Sequence, residues 1–580
     1  MAEFQIKRSP KVYDVCIVGS GAGGGMAAYM LSKAGLKIAL LEAGPMFDPA
    51  NPKQRTQLKW SYESPRRGAG TTRPFGDFDA AYGGWDIEGE PYTHKDGTRF
   101  DWFRSRMIGG RTNHWGRISL RFGPRDFKHK DVDGLGDNWP ISYEDVAPFY
   151  DRVDKLIGVF GTKEGILNEP DGHFLPPPKP RLHELMLKQA ADKVGVKVIP
   201  SRLSMLTRPI NKDRKSCFYC SQCNRSCQVY ADFSSSSVLV KPALQTGNVD
   251  VFTNAMAREV LTDGNGKATG VSYVSKDDLQ EYEVRAKVVV LAASACESAR
   301  LMLNSKSANH PNGLGNSSNV VGHYLHDSTG ASRGAILPQL FGRKRYNEDG
   351  VGGMHLYSPW WLDNKKLDFP RGYHIEYSGG MGMPGYGFGW GIEGTNGRFP
   401  DRNGKQKEGG GYGAALKDDY RYFYGAGFGM AGRGECIARE DNYCEIDPNV
   451  VDKFGIPVLR FHYTWSDAEI KQAKHMQDTF EEIIHAMGGI ALGNKPGPES
   501  NYGLEAPGRI IHEVGTTRMG DDPKRSALNK YNQVHDCKNV FVVDGGAFVS
   551  QADKNPTWTI LALSMRASEY MMDELKKQNI

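Results

Sequence analysis

The chain has no apolar run approaching the roughly 20 residues that a membrane-spanning helix needs. Its longest runs, such as Val288 to Cys296, stop well short, so no transmembrane span is expected. Charge of one sign is also scarce. The 73 Lys and Arg stand against 68 Asp and Glu, a formal net charge of +5, and no long basic tract is present to follow a phosphate backbone. That balance argues against nucleic acid as a partner. Met1 to Lys11 carry Glu3, Lys7, Arg8 and Lys11 but no apolar core or small-residue cleavage site, so no export signal is expected at this end. No Cys-x-x-Cys-His occurs, which excludes haem attached in that way. There is no internal repeat.

Glycine, by contrast, is abundant, at 69 of 580 residues, which points to many turns and close backbone approaches. The apolar fraction of 39% and charged fraction of 24% are those of a folded soluble protein. The length exceeds what one hydrophobic core usually supports, so two or more domains are expected.

Val12 to Val18 reads as a short strand, Gly19-Ser-Gly-Ala-Gly-Gly-Gly25 as a glycine loop, and the stretch with Met26, Met30 and Leu31 as a helix that Gly35 stops. Lys37 to Glu42 is a second buried strand, completing a β-α-β unit. Gly19, Gly21 and Gly24 match G-x-G-x-x-G, whose glycines permit a tight turn, close approach of a pyrophosphate, and tight helix–strand packing. The helix N-terminus adds its positive end. Glu42, at the end of the second strand, is placed to accept the ribose hydroxyls of an adenosine. Further on, Val288 to Ala292 leads to a helix around Cys296 to Leu303. Val540 to Val543 leads through Asp544 and Gly545 to a helix near Pro556, so the nucleotide domain is expected to be discontinuous. Asn555-Pro556-Thr557 reads locally as an asparagine N-cap with proline at the first helical position. Phe174 to Pro180 reads as a stiff connector.

Three blocks carry a resemblance. They are the N-terminal β-α-β unit, Arg106-Met-Ile-Gly-Gly-Arg-Thr-Asn-His-Trp-Gly116, and the pair Ile511-His-Glu-Val-Gly-Thr-Thr-Arg-Met-Gly520 with Val543-Asp-Gly545. In this order they resemble the glucose-methanol-choline oxidoreductase family, over the first 120 residues, about 230 to 310, and the last 80. The resemblance implies an α/β fold, with a discontinuous Rossmann-like FAD-binding domain and a second α+β substrate domain built on an antiparallel sheet. Residues 1–50, 100–125, 235–310 and 500–580 would form the first, and 126–234 and 311–499 the second.

The resemblance further implies FAD, with Gly109 and Gly110 against the flavin, Asp544 and Gly545 against the ribityl and pyrophosphate, and the Ala257 backbone at adenine. Ala22, Ala43, Met107, Ala293, Pro556 and Thr557 would complete the cofactor contacts. Asn113-His114-Trp115-Gly116 is similar to the step where pyranose oxidase and some sugar dehydrogenases attach flavin to a histidine, and simple packing of His114 beside the ring is equally compatible. Alcohol oxidation needs a neutral base beside the hydroxyl while hydride leaves carbon, a role that suits histidine. By motif match His512 is that base, among 15 histidines, and Asn555 is the second active-site residue, binding the substrate hydroxyl. Asparagine rather than histidine there groups the chain with pyranose-oxidase-like and sugar-dehydrogenase-like members.

Nine cysteines are present, and Cys217, Cys220, Cys223 and Cys227 crowd into one loop with a spacing that suits a compact iron–sulfur cluster. Gln228 stands where a ferredoxin run has proline, so a 3Fe–4S centre is as compatible as 4Fe–4S, and zinc, free thiols or local disulfides are the other readings. Certain bacterial FAD sugar dehydrogenases resemble this chain in carrying such a cluster, which passes electrons to a partner. The expected activity is therefore a sugar or glycoside dehydrogenase. Oxidation at C3 of a glucoside leads, ahead of glucose at the anomeric carbon or gluconate at C2. An oxygen-using oxidase and a non-catalytic flavin module are the alternatives. A small subunit or cytochrome is the expected electron acceptor, and co-export to the periplasm with a signal-bearing partner is expected, with the cytoplasm as the alternative. Trp360, Trp361, Tyr386, Phe388, Trp390 and Tyr412 are candidate sugar-ring platforms, with aromatic core packing the commoner explanation.

Overall fold

Val15 to Val18 and Ile38–Leu41 are aliphatic or thiol-bearing on both faces and fully enclosed, as central parallel strands require. In the computed structural model, which describes residues 7–54, 82–221, 223, 226–344, 354–359, 367–381 and 413–580, they lie side by side in a seven-stranded sheet. Its order is Ala255–Thr262, Ala268–Ser275, Glu281–Leu291, Lys7–Val18, Ile38–Leu41, Val249–Phe252, with Val540–Val542 also on Glu281–Leu291. The Lys7–Val18, Ile38–Leu41, Val249–Phe252 and Val540–Val542 contacts are parallel, and the two hairpin contacts are antiparallel. One sheet thus recruits strands more than 500 positions apart in the chain, the discontinuous nucleotide fold expected.

The Ala22–Lys33 helix crosses this sheet and ends, as expected, at Gly35, whose φ is +89°. The Ala295–Asn304 helix follows the Glu281–Leu291 strand. The C-terminal helix spans Thr557–Lys576, with Pro556 in the capping position. This corrects the asparagine-cap reading by one residue. Asn555 makes no cap to the helix: its Oδ1 accepts no N–H among the described residues, and its Nδ2 is turned toward His512. Phe174–Leu175, at the head of the connector, pairs in parallel with Val159–Phe160.

The second sheet is antiparallel throughout, in the order Ile490–Ala491, Thr329–Ile336, Gly427–Gly434, Tyr373–Gly379, Leu356–Ser358, Ile199–Pro200. The Asp467–Ala486 helix covers one face. It opens with a capping box, in which Ser466 N–H donates to Glu469 Oε2 at 2.6 Å. Met476, Phe480, Ile483 and Ile484 from the helix pack on Ile375, Phe428 and Met430 from the sheet. Gly432 and Gly434 let the helix come close, since a Cβ there would lie 2.5 Å from Met476 Sδ and 2.0 Å from Gln472 Oε1 respectively. The sheet's other face looks toward the nucleotide fold. Among the described residues no helix is long and apolar enough to cross a membrane. Trp360, Trp361, Tyr386, Phe388, Trp390 and Tyr412 lie outside the described residues.

Candidate active site

A cavity of about 450 Å³ lies between the two sheets, within the roughly 300–1,000 Å³ usual for small-molecule and cofactor sites. At one end stands the glycine loop. Gly19 has φ +95°, and a Cβ there would sit 2.4 Å from Ala292 O, so only glycine fits. Gly24 is held against Gly19 O, where a Cβ would come within 1.9 Å, so it serves packing and does not face the cavity. Gly21 is different: it lines the cavity, and a Cβ there would meet nothing within 4 Å. It leaves an open cradle at the helix N-terminus, of the shape and polarity a pyrophosphate takes.

Glu42 lies at the end of its strand as expected. Its carboxylate accepts Ser20 Oγ–H at 2.5 Å and Gly44 N–H at 3.1 Å. Burial raises its pKa, opposed by those hydrogen bonds. Ser20 Oγ also accepts Gly109 N–H at 2.9 Å, tying the first glycine loop to the second. Ala22, Ala43, Gly110, Trp115, Gly116, Ala257, Ala293, Gly545, Pro556 and Thr557 all line the cavity. Met107, Gly109 and Asn113 stand behind its wall. Met107 packs with Phe47, and Asn113 Nδ2 donates to Ile108 O at 2.8 Å and its Oδ1 accepts from Ser236 Oγ at 2.7 Å. Asp544 accepts from Gly546 N–H at 2.8 Å and from Ser298 Oγ–H at 2.5 Å, and burial pushes its carboxyl up to about 6. The open cradle, the buried acid beyond it and the helix N-terminus at Pro556 together fit FAD.

His114 lines the cavity with Nε2 3.2 Å from Ser105 Oγ and its ring edge-on to Phe103 at 5.6 Å.

At the other end stand His512 and Asn555. Asn555 Nδ2 donates to His512 Nε2 at 3.2 Å, which puts the ring proton on Nδ1, 3.1 Å from Ser328 Oγ. Burial first, then the Arg433 charge, lower the His512 pKa to about 3, with Glu376 opposing. The imidazole is therefore neutral at physiological pH and presents its lone pair at Nε2. Among the described residues Asn555 Oδ1 is buried without a hydrogen-bond partner, an orphaned acceptor beside that lone pair.

Several groups behind this pair escaped the sequence reading. Asp327 accepts the backbone N–H of His512 and Ser328, each at 2.9 Å, and of Ile510 at 3.3 Å, and so holds the loop that carries the histidine. Burial, then the nearby Glu513, push its carboxyl up to about 7. Arg111 donates to Glu513 Oε1 at 2.6 Å, joining the second glycine loop to the histidine block. Both residues lay in blocks already singled out, so a charge-pairing argument between the blocks could have found them. Asp327, Ser328, Glu376 and Arg433 lie in no recognisable pattern.

The cysteine cluster does not meet its expectation. Cys217, Cys220, Cys223 and Cys227 form no disulfide, and among the described residues no three His, Cys, Asp or Glu side chains converge as a metal-binding group. Cys223 turns its sulfur toward Met205 Sδ at 3.8 Å inside an apolar cluster with Leu203 and Tyr357, and Cys217 Sγ accepts Tyr219 N–H at 3.3 Å. Burial pushes the Cys217 thiol up to about 11 and that of Cys227 to about 12. The arrangement does not fit an iron–sulfur cluster.

Comparison with known proteins bears on the same cavity. The chain is 29% identical over 576 residues to 2-methyl-1,2-propanediol dehydrogenase of Mycolicibacterium austroafricanum, covering 96% of this chain and 95% of that protein. It is 25% identical over 590 residues to the fructose dehydrogenase large subunit of Gluconobacter japonicus, covering 97% and 98%. Among solved structures, pyridoxine 4-oxidase from Mesorbium loti superposes with a TM-score of 0.62 at 16% identity over 97% of this chain and 99% of that one, a likeness of fold. Two family models described as GMC oxidoreductase match residues 21–329 and 438–564, which between them carry the glycine loop from Gly21 onward, the Arg106 to Gly116 block, His512 and Asn555. The chain belongs to the GMC oxidoreductase family, whose members are FAD-dependent oxidoreductases of alcohol and sugar hydroxyls.

Proposed function

We propose that the protein is an FAD-dependent dehydrogenase of sugars or small polyols, with His512 as general base and Asn555 as the second partner of the reacting hydroxyl. The observation that carries this reading is the neutral His512 Nε2, 3.2 Å from Asn555 Nδ2, in the same cavity that Gly21 lines. A substrate hydroxyl placed between them would donate its proton to Nε2 and accept from the asparagine amide. As the proton moves to Nε2, Ser328 Oγ accepts from Nδ1–H and keeps the ring in place. FAD, when bound, supplies the hydride acceptor, N5, against the carbon that loses hydride. Gly19, Gly21, Ala22, Glu42 and Ala43 would hold its adenosine and pyrophosphate end. Gly110, His114, Trp115, Asp544, Gly545, Pro556 and Thr557 would hold the remainder. The Thr557–Lys576 helix directs its positive end to the same region, favouring negative charge there.

Two full-length relatives named for a diol and a ketose support a polyhydroxylated substrate. For glucosides, C3 is the position proposed. That one relative is a large subunit supports a second polypeptide as the electron acceptor.

The test is anaerobic absorbance of the purified protein before and after addition of 1,2-propanediol, glucose, methyl glucoside, fructose and gluconate in turn. Bleaching of the flavin by at least one of them, with dye reduction outpacing peroxide formation in air, is expected. A flavin that none of them reduces overturns the reading, and peroxide at the full turnover rate makes the protein an oxidase.

A further inference from the structure

The cavity contains a charged pair whose field reaches His512 but which, among the described residues, no hydrogen bond ties to His512 or Asn555. The Gly427–Gly434 strand alternates buried and half-buried residues, with Phe428, Met430 and Gly432 turned to the covering helix and Arg433 to the cavity. On the neighbouring Tyr373–Gly379 strand, His374 stands directly opposite Arg433 and Glu376 is its diagonal neighbour. Glu376 lines the cavity with Arg433 and His512.

The geometry leaves this pair unfinished. Glu376 Oε2 is 3.7 Å from Arg433 Nε, too far for a hydrogen bond. Among the described residues the only hydrogen bond from the Arg433 guanidinium is Nη1–H to Gly432 O at 3.0 Å. The other carboxylate oxygen, Oε1, is held by His374 Nε2 at 3.2 Å, and His374 Nδ1 meets Asp553 O. Both partners of this imidazole are acceptors, so both ring nitrogens must donate, and the ring carries a proton that holds Glu376 rigid. Burial works to raise the Glu376 pKa, but Arg433 and His374 outweigh it and hold the carboxyl at about 2. It is an ionised acceptor facing the cavity.

A hydroxyl is the group that completes such a pair. It has one donor for Glu376 Oε2 and lone pairs for Arg433 Nε–H, and its oxygen can sit within hydrogen-bond reach of both across a 3.7 Å gap. An ammonium placed there would meet Arg433 and a carboxylate would meet Glu376, so neither charged group is matched on both sides. Resting on the proposed alcohol oxidation, we infer that Glu376 and Arg433 bind a second hydroxyl of the substrate while His512 takes the proton of the first. This makes the substrate an uncharged polyol rather than a simple alcohol, an amino sugar or a sugar acid.

The test compares 1,2-propanediol with 1-propanol, following flavin reduction and kcat/KM in the wild-type holoenzyme, E376Q and R433M. The wild type is expected to favour the diol by about 10–100-fold, the span of one hydrogen bond to a charged group. In E376Q the ratio of kcat/KM for the diol to kcat/KM for 1-propanol should collapse to within about threefold, through a rise in KM confined to the diol. R433M should do the same, and it decides the matter if E376Q fails to retain FAD. Equal loss on both substrates would make the pair merely structural, and an equal wild-type rate on both would overturn the assignment while leaving alcohol oxidation standing. If 2-amino-1-propanol or lactate outruns the diol, the uncharged class is wrong. A flavin bleached by none of these, nor by the sugars above, overturns the alcohol reading and this inference with it.

Discussion

At the residue scale, the proposed chemistry rests on keeping one imidazole neutral and aimed. His512 is stripped of water and sits near Arg433, and both effects disfavour its protonated form. H512A is expected to retain FAD but to reduce it about 10²–10⁴-fold more slowly, the usual worth of a positioned base. Stopped-flow flavin bleaching checks this, and near-normal rates would remove the base assignment. The pH dependence separates two groups. With a pKa of about 3, His512 stays neutral across the working range and contributes no step at the ordinary imidazole value of 6.5. Asp327, raised to about 7, is the group that titrates there, and its carboxylate is the better acceptor for the three N–H groups that fix the His512 loop. Flavin reduction should therefore rise with pH through about 7 in the wild type and lose that step in D327N. A step that persists in D327N would mean that the base itself titrates.

At the scale of elements, the Ala22–Lys33 helix begins with three glycines in succession, Gly23 to Gly25, a composition that weakens an isolated helix. Tertiary contact reverses that judgement. A Cβ on Gly23 would fall 2.2 Å from Val543 O and one on Gly24 1.9 Å from Gly19 O, both backbone atoms that cannot swing aside. G24A should therefore push the helix off the sheet, lower FAD content in the purified protein and lower the melting temperature, whereas G21A, whose Cβ meets only open space, should fold normally and lose FAD affinity. Differential scanning fluorimetry and flavin absorbance distinguish the two, and equal behaviour would contradict the division of labour between packing and cradle.

At the scale of the whole molecule, the segment that delivers Asn555 is anchored by a buried cation. Lys554 is 3% exposed, with Nζ 2.5 Å from Asp553, 3.0 Å from Asp126 and 4.0 Å from Glu169. Arg202 lies against the same Glu169, so acids and bases from both halves of the chain share one enclosed network. Removing one partner strands the others without solvent. K554M is expected to cost about 3–5 kcal/mol, the range for breaking a buried ion pair, read as a lowered urea midpoint. A midpoint equal to the wild type would show the network to be dispensable.

Local signals were enough for the nucleotide half. Strand, glycine loop, helix, strand and Glu42 are contiguous, each step is dictated by short-range sterics or hydrophobic period, and the structure keeps them nearly residue for residue. The two residues proposed for the active site were legible because each sits in a recognisable block. Asn555 was misread only in its local role, since an asparagine before proline looks like a cap until a histidine 43 positions away claims its amide. The cysteine spacing misled for a related reason: four thiols close in sequence converge on a metal only if the surrounding packing turns them inward, and Met205 and Leu203 turn Cys223 elsewhere. The sequence by itself determined the family, the cofactor class and the order of the nucleotide-binding elements, because these depend on patterns within a few tens of residues. Only the tertiary structure decided the neutral state of His512, the Asp327 and Ser328 support beneath it, and the Glu376–Arg433 pair, because desolvation and charge proximity depend on groups the fold brings together from far along the chain.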